Sequence, residues 1–332
     1  MTAGRLLVTG GRGLLGNAVI DAATARGWQV VTLQRNPSGR ADDGAVIDVI
    51  GSVTDRASVD RAIHGCDAVV HLAARVGIEG RWRDFEDVNV GGTRNLLDAA
   101  RRAGIGSFVY VSSPSVAHAG RALVGADASP ADPQAARGHY SRSKAIAELL
   151  VLDVSDFPVV ALRPHLVWGP GDEQLVGRIV SRARSGRLFV IDGGKALIDT
   201  TYIDNAADAI VHAIDKTSKT DVVGRPFVIS NAEPRPVREI IAGIVEAAGV
   251  RTPLRSVPFV PAFAAGAVGE WAGAITGREP LITRFLVEQL ATAHWFDPRP
   301  TWQALEWRPE VSLDEGMRRL AEYFDRRGSA AD

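Results

Sequence analysis

Hydrophobic positions along the first half of the chain follow two alternating rhythms. Short runs rich in aliphatic and β-branched residues, at Arg5 to Thr9, Gln29 to Leu33, Ala45 to Val49, Asp67 to Leu72, Ser107 to Ser112 and Pro158 to Leu162, read as buried strands. Between them lie amphipathic stretches with helical spacing, such as Leu14 to Arg26 and Phe85 to Ala103. Strand, helix and strand in strict succession predict an α/β fold, a Rossmann-type doubly wound parallel sheet with helices on both faces. Ligands of such sheets bind beyond the carboxyl ends of the strands. After Trp168-Gly169-Pro170-Gly171-Asp172 the rhythm loosens into helices, isolated strands (Leu188 to Ile191, Pro226 to Ser230) and a Pro/Gly-punctuated apolar stretch from Val257 to Thr276. The expected division is a first domain over residues 1–168 and a smaller, mainly substrate-binding part over 169–328, with some segments returning to the sheet.

Composition narrows the function. With 38 Lys and Arg against 39 Asp and Glu, the formal charge is -1, which offers no bulk attraction to nucleic acid or to an anionic membrane. The single cysteine, Cys66, excludes an intramolecular disulfide framework and fits a reducing compartment. The first residues pass directly into a strand without a signal-peptide pattern, so the expectation is a cytoplasmic protein. Ser256 to Gly269 carries no charge but is too short to span a bilayer, which takes roughly 18 residues. The histidines (His64, His71, His118, His139, His165, His212 and His294) show no metal-ligand spacing, and no metal is expected.

Directly after the first strand comes Thr9-Gly10-Gly11-Arg12-Gly13-Leu14-Leu15-Gly16, with a helical pattern following at once. Glycines there permit a tight turn and a close backbone approach to a pyrophosphate, and the free N–H groups of the helix start favour an anion. Gly10, Arg12, Gly13, Leu14, Leu15 and Gly16 are therefore candidate cofactor contacts. A carboxylate for the adenosine ribose is expected about 20 residues further on. That place reads Leu33-Gln34-Arg35 instead. Arg35 and Arg12 are suited to a 2′-phosphate, so NADP(H) is preferred, with NAD(H) the alternative and solvated arginines the plainer reading.

Tyr140-Ser141-Arg142-Ser143-Lys144 opens a helical pattern, which puts Tyr140 and Lys144 on one face. Upstream, a strand ends in Ser112-Ser113-Pro114-Ser115, where Ser113 lies nearer the strand end and Ser115 competes with it. These residue types suit carbonyl reduction: Ser113 holds the substrate oxygen, Tyr140 protonates it, and Lys144 is expected to pull the phenol down from about 10 toward neutrality.

The motifs TGGRGLLG, HLAA (His71 to Ala74), NVGGT (Asn89 to Thr93), YSRSK and LRPHLVWGPGD resemble the extended short-chain dehydrogenase/reductases, and among them the 3β-hydroxysteroid dehydrogenase branch. SSPSVAHA, TYIDNAADA, FVISNAEP and LITRFLVEQL resemble the 2-alkyl-3-oxoalkanoate reductases of head-to-head olefin biosynthesis. The resemblance implies catalysis by Ser113, Tyr140 and Lys144, and cofactor contacts from Leu72, Ala73, Ala74, Pro164, His165, Leu166 and Val167. One departure is visible: the family often has Gly-Asp after the third strand, where this chain reads Gly51-Ser52-Val53. Ser52 and a backbone contact from Val53 are left to face the adenine. Val76, Ser115, His118, Trp168 and Trp271 are candidates for the substrate pocket, with core filling the preferred reading of each tryptophan taken alone.

The substrate expected is a small hydrophobic carbonyl or alcohol, because Val257 to Thr276 suits alkyl chains better than sugars. A steroid-type alcohol dehydrogenase, a nucleotide-sugar epimerase or dehydratase, and a non-catalytic NADP-binding scaffold are the alternatives. Ser256 to Gly269 is expected to act as a lid, with peripheral contact to a lipid surface as its second use. The resemblance further implies a homodimer and assembly with other olefin-pathway enzymes.

Overall fold

The computed structural model describes residues 4–40, 44–77, 80–117, 122–276 and 282–329. Seven strands, β1 (Arg5–Thr9), β2 (Gln29–Gln34), β3 (Val46–Ile50), β4 (Ala68–His71), β5 (Ser107–Val111), β6 (Val159–Pro164) and β7 (Arg225–Ile229), form one sheet in the order β7-β6-β5-β4-β1-β2-β3. All of its pairings are parallel. The apolar strand runs have this cause: alternate residues feed opposite faces, and both faces are covered. Leu6, Val8, Val70 and Val109 pack with Val19 and Ile20 of the Leu14–Ala25 helix and Ile210 of the Ile203–Ile214 helix. Leu7, Val69 and Phe108 pack with Leu96 and Ala100 of the Gly92–Ala103 helix and Val151 of the Gly138–Leu152 helix.

The strand order reverses beside β1, so the crevice for a ligand opens at the carboxyl ends of β1 and β4. Thr9, His71 and the segment after Val111 all converge there.

Three local readings change. Pro226 to Ser230, read as an isolated strand, is the edge strand β7 of the main sheet, because its partner β6 runs beside it in register from Arg225 with Val160 to Ile229 with Pro164. The Phe85 to Ala103 helix is broken at its start: Trp82–Phe85 is a helical turn, Glu86–Gly91 is a π-turn, and the regular helix begins at Gly92. The apolar stretch is a single helix over Phe259–Thr276, with Pro261 in its first turn, where a missing N–H breaks no bond. A second core of Trp168, Val180, Ile198, Ile240, Ile244 and Leu320 organises the C-terminal part. Among the described residues no helix is long and apolar enough to cross a membrane.

Candidate active site

The glycine turn is built as its sequence demands. Gly10 has φ +76°, and a Cβ there would lie 2.8 Å from the Ala73 nitrogen. A Cβ on Gly16 would lie 2.2 Å from the Gly10 carbonyl oxygen, so helix and strand approach too closely for any side chain. Gly13 caps the helix with extended backbone and no side-chain hydrogen bond. The N–H groups of the first turn, which an α-helix leaves without internal partners, are thus free of a competing cap, which fits a pyrophosphate.

The loop after β2 lies beside this turn. With the Asn36 amide turned to satisfy both neighbours, its oxygen accepts from Arg12 Nη1 at 3.2 Å and its nitrogen donates to the Arg35 carbonyl at 3.3 Å. Arg12 and Arg35 are both exposed. The nearest substitute for the missing ribose carboxylate, Asp48 on β3, is committed elsewhere. It accepts from Thr32 Oγ1 at 2.6 Å, Gln34 Nε2 at 3.1 Å, and the Ser38 nitrogen and hydroxyl at 2.7 and 2.9 Å. Burial alone would raise its carboxyl, but these bonds outweigh burial and hold it below the usual range. Further along, the Ser52 and Thr54 hydroxyls are hydrogen-bonded at 2.8 Å. Val53 is buried, and its carbonyl accepts from Asn95 Nδ2 at 2.9 Å.

The catalytic candidates gather at the ends of β5 and its following helix. Ser113 follows β5 in extended conformation, and its Oγ accepts from the Ser115 nitrogen at 3.3 Å and shares a 3.0 Å hydrogen bond with Ser115 Oγ. Tyr140 and Lys144 sit one turn apart on the Gly138–Leu152 helix. Lys144 is 2% exposed, donates from Nζ to the Val111 carbonyl at 2.7 Å, and stands 4.1 Å from the centre of the Tyr110 ring.

The electrostatics correct the expectation of an acidified phenol. Burial pushes Tyr140 up to about 12. Burial also pushes Lys144 down to about 7, against the opposing charge of Glu148. The ammonium's interactions go to Val111 and Tyr110; desolvation outweighs the Glu148 attraction at Lys144 and is the cause of the shift at Tyr140.

Three further residues, Asn89, Glu148 and Arg163, shape the site and were not singled out from the sequence. Asn89, in the π-turn, donates to Ser143 Oγ at 2.8 Å and to the Arg75 carbonyl at 3.1 Å, and accepts from the Arg75 nitrogen at 2.7 Å. Glu148, one turn beyond Lys144, is buried in an ion pair with Arg163 of β6, whose Nε donates at 3.0 Å and whose Nη1 donates to the Ser129 carbonyl at 2.7 Å. Asp199 is fully buried, and burial raises its carboxyl to about 6. The spacing Tyr140, Lys144, Glu148 at successive helical turns is the one signal that could have marked Glu148.

Pro164 ends β6, and the following backbone turns sharply: Leu166 has φ +44°. A leucine in this conformation is strained by about 1–2 kcal/mol, and the turn is fixed by His165 N–H donating to the Ile229 carbonyl at 3.0 Å and Thr201 Oγ1 donating to the His165 carbonyl at 2.7 Å. The His165 ring lies edge-on to His294 and Phe296, at 5.0 and 5.1 Å between centres. Val167 pairs with Thr201.

The substrate candidates are not brought together. Trp168 is fully buried in the C-terminal core, donating to Thr200 Oγ1 at 3.0 Å and packing edge-on against Tyr202, so it walls no alkyl pocket. Val76 and Trp271 are 65% and 69% exposed. His118 lies outside the described residues. Among the described members of this group, Ser115 alone hydrogen-bonds to a catalytic candidate.

Residues 7–259 match the 3-beta hydroxysteroid dehydrogenase/isomerase family. The chain belongs to that family. It is 40% identical over 326 residues to a 2-alkyl-3-oxoalkanoate reductase of Stenotrophomonas maltophilia, covering 95% of this chain and 98% of that protein. A Shewanella oneidensis protein of the same name is 36% identical, over 94% of this chain and 84% of its own. A 3-beta-hydroxysteroid dehydrogenase of Mycolicibacterium neoaurum is 28% identical, over 97% and 91%. Among solved structures, a short-chain dehydrogenase/reductase superfamily protein of Agrobacterium tumefaciens with bound NAD superposes with a TM-score of 0.76 at 21% identity, over 98% of this chain and 99% of that one. The family member described here is thus an extended short-chain dehydrogenase/reductase: a nicotinamide-dependent oxidoreductase of alcohol and carbonyl groups.

Proposed function

We propose that this protein reduces 2-alkyl-3-oxoalkanoates to the corresponding 3-hydroxy acids with NADPH. The observation that carries the substrate class is the 40% identity to the Stenotrophomonas enzyme across nearly the whole of both chains, including the C-terminal part that specifies substrate. The NADPH preference is supported by Arg12 in the glycine turn and Arg35 just after β2, and by an Asp48 carboxylate engaged by Thr32 and Gln34 of β2 and by Ser38 of the following loop. Gly10, Gly13 and Gly16 with the following helix start are suited to the pyrophosphate, and Pro164 to Val167 to the nicotinamide, which supplies the hydride when bound.

The chain's own groups handle the substrate oxygen and its proton. The 3.0 Å contact between the Ser113 and Ser115 hydroxyls admits either as donor; with Ser115 donating, the Ser113 proton is free to hold the substrate carbonyl oxygen. The Tyr140 phenol, protonated at neutral pH because burial raises it, donates its proton to that oxygen as the carbonyl carbon gains hydride and the C=O bond becomes C–OH. This protonation state equips the phenol for the acid's part in reduction at neutral pH. The Phe259–Thr276 helix, with Phe259 and Phe263 stacked 5.5 Å apart at its start, is the lid over the alkyl chains.

The test is an NADPH and NADH oxidation assay with a synthetic 2-alkyl-3-oxo acid, a 3-oxosteroid and a UDP-sugar in parallel. The proposal expects turnover of the oxo acid at least tenfold above the other two, and a loss of NADPH preference in Arg12→Ala/Arg35→Ala. Preferential turnover of the steroid or the sugar overturns the substrate class. An unchanged NADPH to NADH ratio in the double variant overturns the cofactor assignment.

A further inference from the structure

His71 and Thr93 belong to motifs to which the chemistry above gives no task. Both are buried, His71 at 1% and Thr93 at 0% exposure, and they stand at the crevice where the strand order reverses. Thr9 Oγ1 accepts from the Ala73 nitrogen at 3.1 Å and lies 2.7 Å from His71 Nδ1. On the other side of the ring, Nε2 lies 3.0 Å from Thr93 Oγ1, which donates to the Asn89 carbonyl at 2.6 Å. Asn89 then continues through its side chain to Ser143 Oγ, which donates to the Tyr140 carbonyl at 2.8 Å.

Proton counting fixes the imidazole. Thr93 has one hydroxyl proton and spends it on Asn89, so it accepts from His71 and Nε2 carries hydrogen. A neutral ring then has a bare Nδ1, which accepts the Thr9 hydroxyl proton, while a Thr9 lone pair takes the Ala73 N–H. Every donor and acceptor in the chain is used in one direction. Neutrality follows from the surroundings: burial and the neighbouring Lys144 push the imidazole down to about 3. The other groups facing the ring are aromatic, Phe108 at 6.4 Å and Tyr110 at 5.6 Å between centres, and offer no carboxylate to hold a second proton.

The chain of bonds also closes on itself. Asn89 binds both the nitrogen and the carbonyl of Arg75, so the loop after β4 is held at Ala73 through Thr9 and at Arg75 through Asn89. We propose that His71 is a positioning residue: its Nδ1 arm fixes the Leu72–Arg75 loop against the glycine turn, and its Nε2 arm fixes the Asn89 turn that anchors the start of the Tyr140 helix. The assignment rests on reading this crevice as a nicotinamide reductase site, with the loop on the dinucleotide side and Tyr140 on the substrate side.

The two arms are separable by substitution. His71→Asn keeps an acceptor near the Nδ1 position, His71→Gln keeps an amide donor near the Nε2 position, and His71→Phe keeps neither. NADPH affinity is read by fluorescence titration and kcat by single-substrate kinetics. The expected pattern is crossed: His71→Gln weakens NADPH binding about tenfold with kcat within threefold, His71→Asn does the reverse, and His71→Phe loses both. Thr93→Val, which leaves the ring in place, lowers kcat alone, and Thr93→Ser restores it. Parallel losses of affinity and kcat in all variants overturn the proposal, since a merely structural histidine gives that result. In 15N NMR of the histidine-labelled wild-type protein, an Nε2–H neutral imidazole from pH 5 to 8 is expected, and an Nδ1–H or protonated ring overturns the proposal independently of any assay. A wild-type protein that binds no dinucleotide instead overturns the reductase reading, and the tautomer still decides the network.

Discussion

Replacing Lys144 by methionine should make the protein more stable near neutral pH, and the size of the gain should change with pH in a calculable way. The lysine falls from 10.5 to about 7 on folding because burial disfavours its charge. That shift is equivalent to about 5 kcal/mol against the folded state at any pH below 7. Methionine fills a similar volume without the charge. It forfeits the 2.7 Å bond to the Val111 carbonyl, which leaves a buried acceptor alone at about 1–3 kcal/mol, and the contact with the Tyr110 ring, worth roughly 1–2 kcal/mol. The net gain at pH 6.5 is therefore about 0–3 kcal/mol. Between pH 7 and 10.5 the folded wild-type lysine is neutral while the unfolded one still holds its proton. Unfolding then takes up a proton, so wild-type stability rises with pH relative to the variant, by about 1.4 kcal/mol per pH unit. The two curves cross at roughly pH 7 to 9. Urea unfolding of both proteins without nucleotide, at intervals from pH 6.5 to 9.5, measures the difference directly. A difference that stays flat across that range refutes the reasoning, because it means that Lys144 gains or loses no proton on folding.

Tyr140→Phe should lower kcat by at least about 100-fold while leaving NADPH titration and the unfolding midpoint unchanged, since general acid catalysis contributes roughly 10²–10⁴-fold; retained turnover places the proton donor elsewhere. Glu148→Gln leaves Arg163 buried with a neutral partner and should cost about 3–5 kcal/mol in urea unfolding, the usual penalty for breaking a buried pair; a loss under 1 kcal/mol would show that water reaches the arginine. Trp271→Ala should raise KM for long-chain oxo acids several-fold more than for short ones if the Phe259–Thr276 helix closes over the alkyl chains; equal effects on both lengths rule out the lid.

The features legible in the sequence are those carried by short spacing. Gly10 to Gly16 announces its turn because seven consecutive residues contain the whole geometry, and Tyr140 with Lys144 announces a shared face because one helical turn separates them. What eluded the sequence is carried across the sheet. Glu148 finds Arg163 fifteen residues away on β6, and Asp48 is neutralised as a ribose ligand by Thr32 and Ser38 on the neighbouring strand and loop. Neither partner can be read from local pattern, because tertiary pairing decides which polar groups are spent before a ligand arrives. Trp168 obeys the same rule: the Thr200 hydroxyl and the Tyr202 ring hold it in the core, the reading preferred for it over a pocket wall. The π-turn at Glu86–Gly91 is likewise invisible to helical periodicity, which continues through it, although the inserted residue is what aims Asn89 at Ser143.

The same distinction sets which proton state the Tyr140 phenol brings to each direction of the reaction. From spacing alone, Lys144 should acidify Tyr140; in the folded chain the ammonium donates to Val111 and burial takes the phenol up to about 12. A phenol in that range is almost wholly protonated at pH 8, so it is ready to give a proton to a carbonyl oxygen and poorly placed to remove one from an alcohol. Reduction should then respond near pH 7 only to the Lys144 ionisation and stay level from pH 8 to 9.5. Oxidation of the 3-hydroxy acid needs phenolate, and log(kcat/KM) should climb with a slope near 1 from pH 8 to 10. Steady-state kinetics in both directions across that range decides the matter. An oxidation profile that levels off below pH 8 restores the acidified phenol and removes the electrostatic argument for reduction.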